Sequence, residues 1–521
     1  MKRIGVYGWG IVAPKSPDIE AFKKNLTCAD NWLGPYEGFG PNTFLVGTPE
    51  FDFADYKAWI DERFPPNRYS QLLTKMDPFA LYAVGCFIQA LSQNPGIERV
   101  LQELEDQAHV YVGTGLGAFA AVHDASLRLD RAQRVWDRFW ASPERNEPLR
   151  EHLRGSRSEQ GVPPDPSGIA DPDAREDAQR AWNAYWAARS PELRAYLVDF
   201  ADIESMSVGG EVETGKLSLL REKERRRAKL RERWQAPDAP WTQVSANVLW
   251  NIPNIPASQI SMLGRIRGFS FGPVGACATF GVCLKLAIDA IRNGEAKAVV
   301  VGATDPAPHP LTVGSFYDAK VLAASGLSKP LTGLRGTHVS GGAIIWIVGE
   351  RSFMEAQGLR PLGMEPVSVG VSSDAEHIIT PSVQGPLTAI RQALEEGHVD
   401  PAEVVTWDLH ATATPGDFRE VENARKVLGE RVLITARKGT FGHGMSAGGG
   451  WELTAQYLGA EEGVIYPTPL APEELNQAIG GIHQAFVQNV ACPLPAGVSG
   501  KLSMGVGGVN ACVLSRPLTP L

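Results

Sequence analysis

A chain of 521 residues, 43% hydrophobic and 21% charged, is long enough for two or three domains or for one large duplicated fold. Its net charge of −9 excludes the basic surface that nucleic-acid binding requires. Six cysteines (Cys28, Cys86, Cys277, Cys283, Cys492 and Cys512) lie far apart without metal-ligand spacing, and read as reduced thiols of a cytoplasmic protein. In chain order, residues 4–13 form an apolar run behind Lys2-Arg3, the outline of a signal peptide. Gly5, Gly8 and Gly10 interrupt it and no small-x-small cleavage site follows, so a first buried strand is predicted. A helix is predicted over 79–91 and a strand over 109–113. Gly113-Thr114-Gly115-Leu116-Gly117 then suggests a dinucleotide fingerprint, but its last glycine arrives one residue early and no acid follows at the right distance. A nicotinamide cofactor is therefore rejected.

Residues 121–240 are different in kind. They hold 21 Lys+Arg and 22 Asp+Glu, yet also Trp136, Trp140, Trp182, Trp186 and Trp234, so the segment is not simply disordered. Trp at i, i+4 within 130–140 and 179–189 marks helical faces, and the Pro- and Gly-rich stretch 161–172 reads as a loop. The prediction is a helical insertion. Its run from Arg221 to Trp234 interleaves acids with bases at i, i+3 and i, i+4, which favours a solvated, internally paired helix over a docking patch for an acidic partner.

Beyond the insertion, Gly275-Ala276-Cys277-Ala278-Thr279 precedes a helix predicted over 282–293. A thiol at a helix start meets free N–H groups and the positive end of the dipole, which favour the nucleophilic thiolate. A small buried cysteine in a tight turn is the plainer alternative. Strands are predicted over 298–303, 343–348 and 404–409, and helices over 386–396 and 417–428. This alternation implies mixed sheets covered by helices, an α/β fold. His410 enters a polar turn at a strand's end, where α/β proteins present reactive groups. Lys438-Gly439-Thr440-Phe441-Gly442-His443-Gly444 follows another strand, around 432–435, and Gly448-Gly449-Gly450-Trp451-Glu452 opens the next helix. One cysteine at a helix start and two histidines on strand-end loops form a set suited to thiol-based acyl transfer. A serine hydrolase fits less well: both Gly444-Met445-Ser446-Ala447-Gly448 and Gly268-Phe269-Ser270-Phe271-Gly272 match G-x-S-x-G, but neither has the required strand–Ser–helix setting. No stretch of 18 apolar residues exists, so no membrane span is predicted.

Read together, these motifs resemble the β-ketoacyl synthase (condensing-enzyme) family of the thiolase fold, in order along nearly the whole chain outside the insertion. Residues 3–12 and Val110-Tyr111-Val112-Gly113-Thr114-Gly115 are similar to its first strands, and Ala276-Cys277-Ala278-Thr279 to its nucleophile motif. Ser372-Ser373-Asp374-Ala375-Glu376-His377, with Pro381 and Gly385, resembles the segment before its first catalytic histidine. His410 to Asp417 with Glu420, Lys438 to His443 with Glu452, and Gly505-Val506-Gly507-Gly508-Val509-Asn510 resemble its two histidine motifs and closing loop.

The resemblance implies two related halves, 1–295 carrying the nucleophile and 296–521 carrying both histidines, in a five-layer α/β/α/β/α arrangement. It implies that Cys277 takes an acyl chain from a carrier protein, while His410 and His443 bind the malonyl thioester carbonyl. It assigns the oxyanion hole to the N–H groups of Cys277 and Val506, and the supporting charges to Lys438, Asp417, Glu420 and Glu452. Two histidines point to the elongating branch. An acyl carrier protein and a homodimer are the implied partners. No metal or organic cofactor is implied beyond the carrier's phosphopantetheine. Departures fall at Val506, where the family has a gating Phe, and at Phe280, where it has Gly, which suggests a reshaped acyl pocket. Others are Ser340-Gly341-Gly342-Ala343 for Gly-Glu-Gly-Ala, Pro330-Leu331-Thr332 for Pro-Phe-Asp, and Ala411 for Gly. The alternative is a non-elongating partner subunit or carrier-binding homologue, which typically lacks the nucleophilic cysteine kept here.

Overall fold

The computed structural model describes residues 2–207, 212–480 and 485–521. The chain divides into two compact units, one formed by residues 1–120 with 249–521 and the other by 121–248.

The larger unit holds two five-stranded sheets. Strands β1 (Ile4–Val12), β2 (Ala108–Gly113), β3 (Ser270–Phe271), β4 (Ala298–Asp305) and β5 (Gly342–Glu350) form the first, in the order β1-β5-β4-β2-β3. Strands β6 (Met364–Ser373), β7 (Val404–Asp408), β8 (Leu433–Thr435), β9 (Val498–Gly505) and β10 (Val509–Pro517) form the second, in the order β6-β10-β9-β7-β8. In each sheet the first strand in sequence pairs antiparallel with the fifth, the fifth antiparallel with the fourth, and the rest are parallel. The same order and the same directions occur twice, so the fold is duplicated. The two sheets are divided between Glu350 and Met364, not at 295/296. The crossover from β3 sets β4 beside β2, and β5 then closes against β4, so both strands complete the first sheet.

Helices α1 (Pro78–Ser92), α2 (Thr279–Asn293), α3 (Gln384–Gly397), α4 (Gly416–Leu428) and α5 (Met445–Glu462) supply the remaining layers. Helix α1 covers the outer face of the first sheet, and α3, with α4 beside it, covers the second. Helices α2 and α5 pack on each other between the sheets, which completes the α/β/α/β/α layering. Helix α2 forms because Phe280, Leu284, Ala287, Ile288 and Ile291 recur at helical spacing, and Gly294 in the left-handed region ends it. The glycines of the first strand have a packing cause. A Cβ at Gly8 would lie 2.3 Å from the Ala90 carbonyl and one at Gly10 2.0 Å from that of Cys86, so α1 approaches β1 only because both are glycine. Every residue of β1 is buried, which accounts for the apolar run that resembles a signal peptide.

The smaller unit is helical, built from Phe119–Trp140, Glu147–Leu153, Pro172–Ala187, Pro191–Glu204 and Val212–Trp234. Asn146, Asp171 and Ser190 cap three of these helices through their side chains, each with Pro in the first turn behind the cap. The Trp pairs at i, i+4 share faces as expected: Trp136 and Trp140 rings lie 5.5 Å apart, and Trp182 and Trp186 rings 5.8 Å. The Asn146 amide donates to the carbonyls of Trp140 and Trp186. Along the charged helix, Glu222 pairs with Arg225 and Arg226, and Arg227 with Glu204 and Glu224.

Candidate active site

Cys277 sits in the turn that starts α2. Ala276 takes a left-handed conformation at φ 46°, which costs a residue with a Cβ about 1–2 kcal/mol and lifts the next side chain off the helix path. The Thr279 hydroxyl holds the turn, donating to the Ala276 carbonyl and accepting from the Gly275 N–H. Gly505 at the end of β9 faces it. A Cβ there would fall 2.7 Å from the Gly275 carbonyl and 3.2 Å from the Cys277 nitrogen. Only glycine lets β9 carry the Val506 N–H to the sulfur.

The helix start alone predicts a favoured thiolate, and the tertiary setting reverses that. Cys277 is 7% exposed. Burial pushes its thiol up to about 11, against the pull of the Val506 N–H, the Lys438 charge and its own N–H. Desolvation of the anion outweighs the local donors. Because the raised group is neutral below its pKa, thiolate appears only as pH rises. Alkylation by iodoacetamide is expected to climb about tenfold per pH unit between about pH 8 and pH 10, where an ordinary thiol levels off. Mass spectrometry of the Cys277 peptide measures this, and a plateau by about pH 9 would contradict it.

His410 follows β7. Its N–H donates to Glu420 Oε1 at 2.6 Å and that of Ala411 to Glu420 Oε2 at 2.8 Å, so one carboxylate from α4 grips the turn. Asp417 accepts from the N–H of Thr412 and from that of Leu331, which gives the divergent Pro330-Leu331-Thr332 segment a part in holding the loop. Burial pushes Glu420 up to about 7 and Asp417 up to about 6, despite these N–H donors.

His443 is clamped through its backbone. Its N–H donates to the His338 carbonyl, and its carbonyl accepts from the Ser340 N–H. Gly442 before it has φ 75°, and a Cβ there would meet the Ser340 hydroxyl at 2.3 Å. The two imidazoles stand edge to face, 5.2 Å between centroids. Burial, then the Lys438 charge, hold both well below the usual imidazole range. At neutral pH both rings are therefore uncharged, each with one N–H to donate. His443 Nδ1 is buried without a partner among the described residues.

Behind the rings lies a buried charge network. Lys438 pairs with Glu452 Oε1 at 2.7 Å, as the motif resemblance implies. Three further members escape sequence reading: Lys501, 2.6 Å from Glu452 Oε2; Asp408, 3.8 Å from Lys501; and Arg437, 3.1 Å from Asp408. The available signal was a lysine in the middle of an otherwise uncharged strand, where a buried charge demands a partner.

Cys277, His410, His443, Thr412, Met504 and Val506 line one cavity of about 500 Å³ in the larger unit, and Val506 is 46% exposed at its wall. Phe280 is not there, contrary to the expectation that it crowds the nucleophile. It is 0% exposed and packs edge to face on Trp346 at 5.2 Å, within the core between the sheets. Cys277 lies in the turn before α2, where Ala276 at φ 46° breaks the helical period, so Phe280 follows the helix face that packs on the core while the sulfur does not.

Two motifs of the rejected readings meet at one carboxylate. Asp305 Oδ1 accepts from the Thr114 hydroxyl and from the N–H groups of Gly115 and Leu116, while Oδ2 accepts from the Ser446 N–H. The glycine loop spends its donors on an internal acid and presents none to a pyrophosphate. Ser446 is fully buried at the start of α5, behind Met445 at φ 46°. It occupies in the second half the place that Cys277 holds in the first.

The sequence model of the β-ketoacyl synthase N-terminal domain matches residues 218–344, and that of the C-terminal domain residues 365–470. Nodulation protein E of Rhizobium meliloti is 30% identical over 222 residues, 42% of this chain and 55% of that protein. The 3-oxoacyl-[acyl-carrier-protein] synthase 2 of Vibrio harveyi is 27% identical over 280 residues, 51% of this chain and 66% of that protein. The chain thus spans about half to two thirds of the relatives it matches. Among solved structures, the ishigamide ketosynthase/chain length factor superposes with a TM-score of 0.67 at 18% identity, over 99% of this chain and 100% of that one. A β-ketoacyl synthase from Burkholderia phymatum does so with a TM-score of 0.67 at 17% identity, over 100% of both. With its duplicated five-layer fold, its two matched domains and these relatives, the chain belongs to the β-ketoacyl synthase family.

Proposed function

We propose that this protein catalyses decarboxylative Claisen condensation of an acyl chain with a malonyl unit on carrier protein, in fatty-acid or specialised lipid or polyketide synthesis. The observation that carries the proposal is one cavity onto which a thiol and two neutral imidazoles open together.

In the first step the Cys277 thiolate attacks the acyl thioester of the carrier. The N–H groups of Val506 and Cys277 stabilise the oxyanion, and the carrier's phosphopantetheine thiol departs with the proton that Cys277 loses. Malonyl-carrier then enters. The C–C bond to its carboxylate breaks, CO2 leaves, and the electron pair passes to the thioester carbonyl as an enolate. Two N–H donors aimed at that oxygen stabilise the charge as it forms. The enolate carbon attacks the acyl-Cys277 carbonyl, the C–S bond breaks, and 3-oxoacyl-carrier forms as the cysteine is regenerated. This chemistry needs no metal or organic cofactor beyond the carrier's own arm.

A second acyl carrier protein docking must follow the first, so the mouth of the cavity is the place of carrier contact. A homodimer is part of the reading. Strand β3 is an edge of the first sheet, and Phe269 and Val274 beside it are exposed, which leaves an apolar edge for a second copy. Sedimentation of the full chain at the mass of one chain would contradict it. No helix among the described residues is long and apolar enough to cross a membrane, and a cytoplasmic location goes with the proposal.

Incubation with acyl-loaded carrier protein is expected to add the acyl mass to Cys277, read by peptide mass spectrometry. Malonyl-carrier should then yield CO2 and the 3-oxoacyl product. Carrier binding with no adduct on Cys277 would favour the alternative, a non-elongating partner subunit.

A further inference from the structure

The Lys501 side chain rises from the interior of β9 and is 1% exposed. An ammonium with no water must give each of its three protons to an oxygen. The Leu502 carbonyl lies at 2.6 Å, Glu452 Oε2 at 2.6 Å and the Leu409 carbonyl at 3.0 Å, and Asp408 adds its charge at 3.8 Å. Three of these four oxygens belong to the support of the histidines. Leu409 immediately precedes His410. Glu452 is the partner of Lys438, which opens the turn leading to His443. Asp408 holds Arg437, the residue before Lys438. Burial pulls the Lys501 ammonium down, but Glu452 and Asp408 outweigh it and raise it, so the charge stays.

We propose that Lys501 is a positioning residue for His410 and His443: its ammonium joins the carbonyl ahead of one histidine to the Glu452–Lys438 pair ahead of the other, fixing both imidazoles in one geometry on the cavity wall. The sequences around the two histidines follow adjacent parallel strands, β7 and β8, whose backbones are joined up to the Leu409 N–H, which donates to the Thr435 carbonyl; past that bond the turns diverge. Without Lys501 the His410 turn would keep the α4 carboxylates Glu420 and Asp417 and the Leu409–Thr435 backbone bond, but lose its tie to the Glu452–Lys438 pair. Lys501 supplies that tie through the Leu409 carbonyl. The same ammonium acts at a distance: after burial and Lys438, its positive charge is among those that keep both rings uncharged. The charged and titratable groups around the rings are Lys438, Lys501, Arg437, Glu452, Asp408, Glu420, Asp417 and the Cys277 thiol, and Lys501 reaches the His410 segment through a hydrogen bond to the Leu409 carbonyl and the His443 segment through its ion pair with Glu452.

This inference rests on the proposed condensation, and its test separates the two. The full chain is compared with Lys501→Met, with the double change Lys501→Met/Asp408→Asn, which removes one charge of each sign, and with Lys501→Ala. Three quantities are read: CO2 release from malonyl-carrier, alkylation of Cys277, and titration of His410 and His443 by NMR of labelled histidine. Misplacement of reacting groups by about 1 Å costs about 100-fold, and that is the loss of CO2 release expected in every folded variant, mainly in kcat. Cys277 alkylation should stay within about threefold, and both imidazoles should titrate closer to the ordinary value of about 6.5. Ammonium ion, but not tetramethylammonium at equal ionic strength, should restore CO2 release in Lys501→Ala by about tenfold, since only the smaller ion fits the emptied oxygen cage.

A folded variant that releases CO2 at the parent rate overturns the proposal. So does loss of folding in all three variants, which would make Lys501 a structural residue. If the parent itself releases no CO2, the proposed condensation fails, and the histidine titration in the variants still decides the role of Lys501.

Discussion

Cys277→Ala is expected to abolish condensation, by at least ~10^4-fold, while CO2 release from malonyl-carrier stays within about tenfold of the parent. The two halves of the reaction use different atoms. Covalent transfer needs the sulfur, for which alanine has no substitute. Enolate formation needs the two imidazole donors, and these are held by Glu420, His338 and the Lys438 network, none of which depends on the Cys277 side chain. Alanine also fits, because the turn geometry is set by Ala276 and Thr279 and the lost sulfur leaves space that opens to the cavity. Product formation and CO2 release measured on the same preparation test the separation. Equal loss of both would show that the thiol takes part in decarboxylation.

His443→Ala is the converse change. Removing one donor from a charge-stabilising pair costs about 10²–10³-fold, and CO2 release and condensation are both expected to fall by that factor. Transfer of an acyl chain to Cys277 should remain within about threefold, because the oxyanion hole proposed for it is made of backbone N–H groups. The fold should survive. His443 is clamped through its backbone to His338 and Ser340, and its ring lies at the cavity wall. Loss of acylation equal to the loss of CO2 release would mean that His443 serves the thiol, not the malonyl carbonyl. Decarboxylation should also keep its rate through about pH 6, where an ordinary imidazole gains its proton, since burial and Lys438 hold both rings neutral there.

Cys277, His410 and His443 are legible in the sequence because each carries a local signature: glycine and small residues before a helix, or a polar turn after a strand. The signature survives any arrangement of the elements. Lys438 and Glu452 are legible for the same reason, lying on the turn before His443 and the helix after it. Lys501 and Asp408 are not, since a polar residue in a strand reads as one that faces water until the strand is known to be buried, and Arg437, in the turn after β8, carries no signal of its own burial. Phe280 shows the opposite error. It is three residues from Cys277 in sequence, yet its ring faces Trp346 and the core. The glycines of the first strand had a visible pattern whose cause, the close approach of α1, only the packing reveals.

The sequence by itself determined the class of fold, the order of its strands and helices, the charged helical insertion and the side chains proposed to react, because hydrophobic period, turn chemistry and motif spacing are local properties of the chain. Tertiary structure alone decided that the two sheets share one topology, that their boundary lies after Glu350, and that three distant motifs open onto one cavity. It also decided the protonation of the site. A helix start favours a thiolate and a free imidazole titrates near neutrality, but burial makes both charged forms costly, so the site rests with a neutral thiol and two neutral rings. Desolvation depends on everything packed around a group, and that sum exists only once the chain has folded.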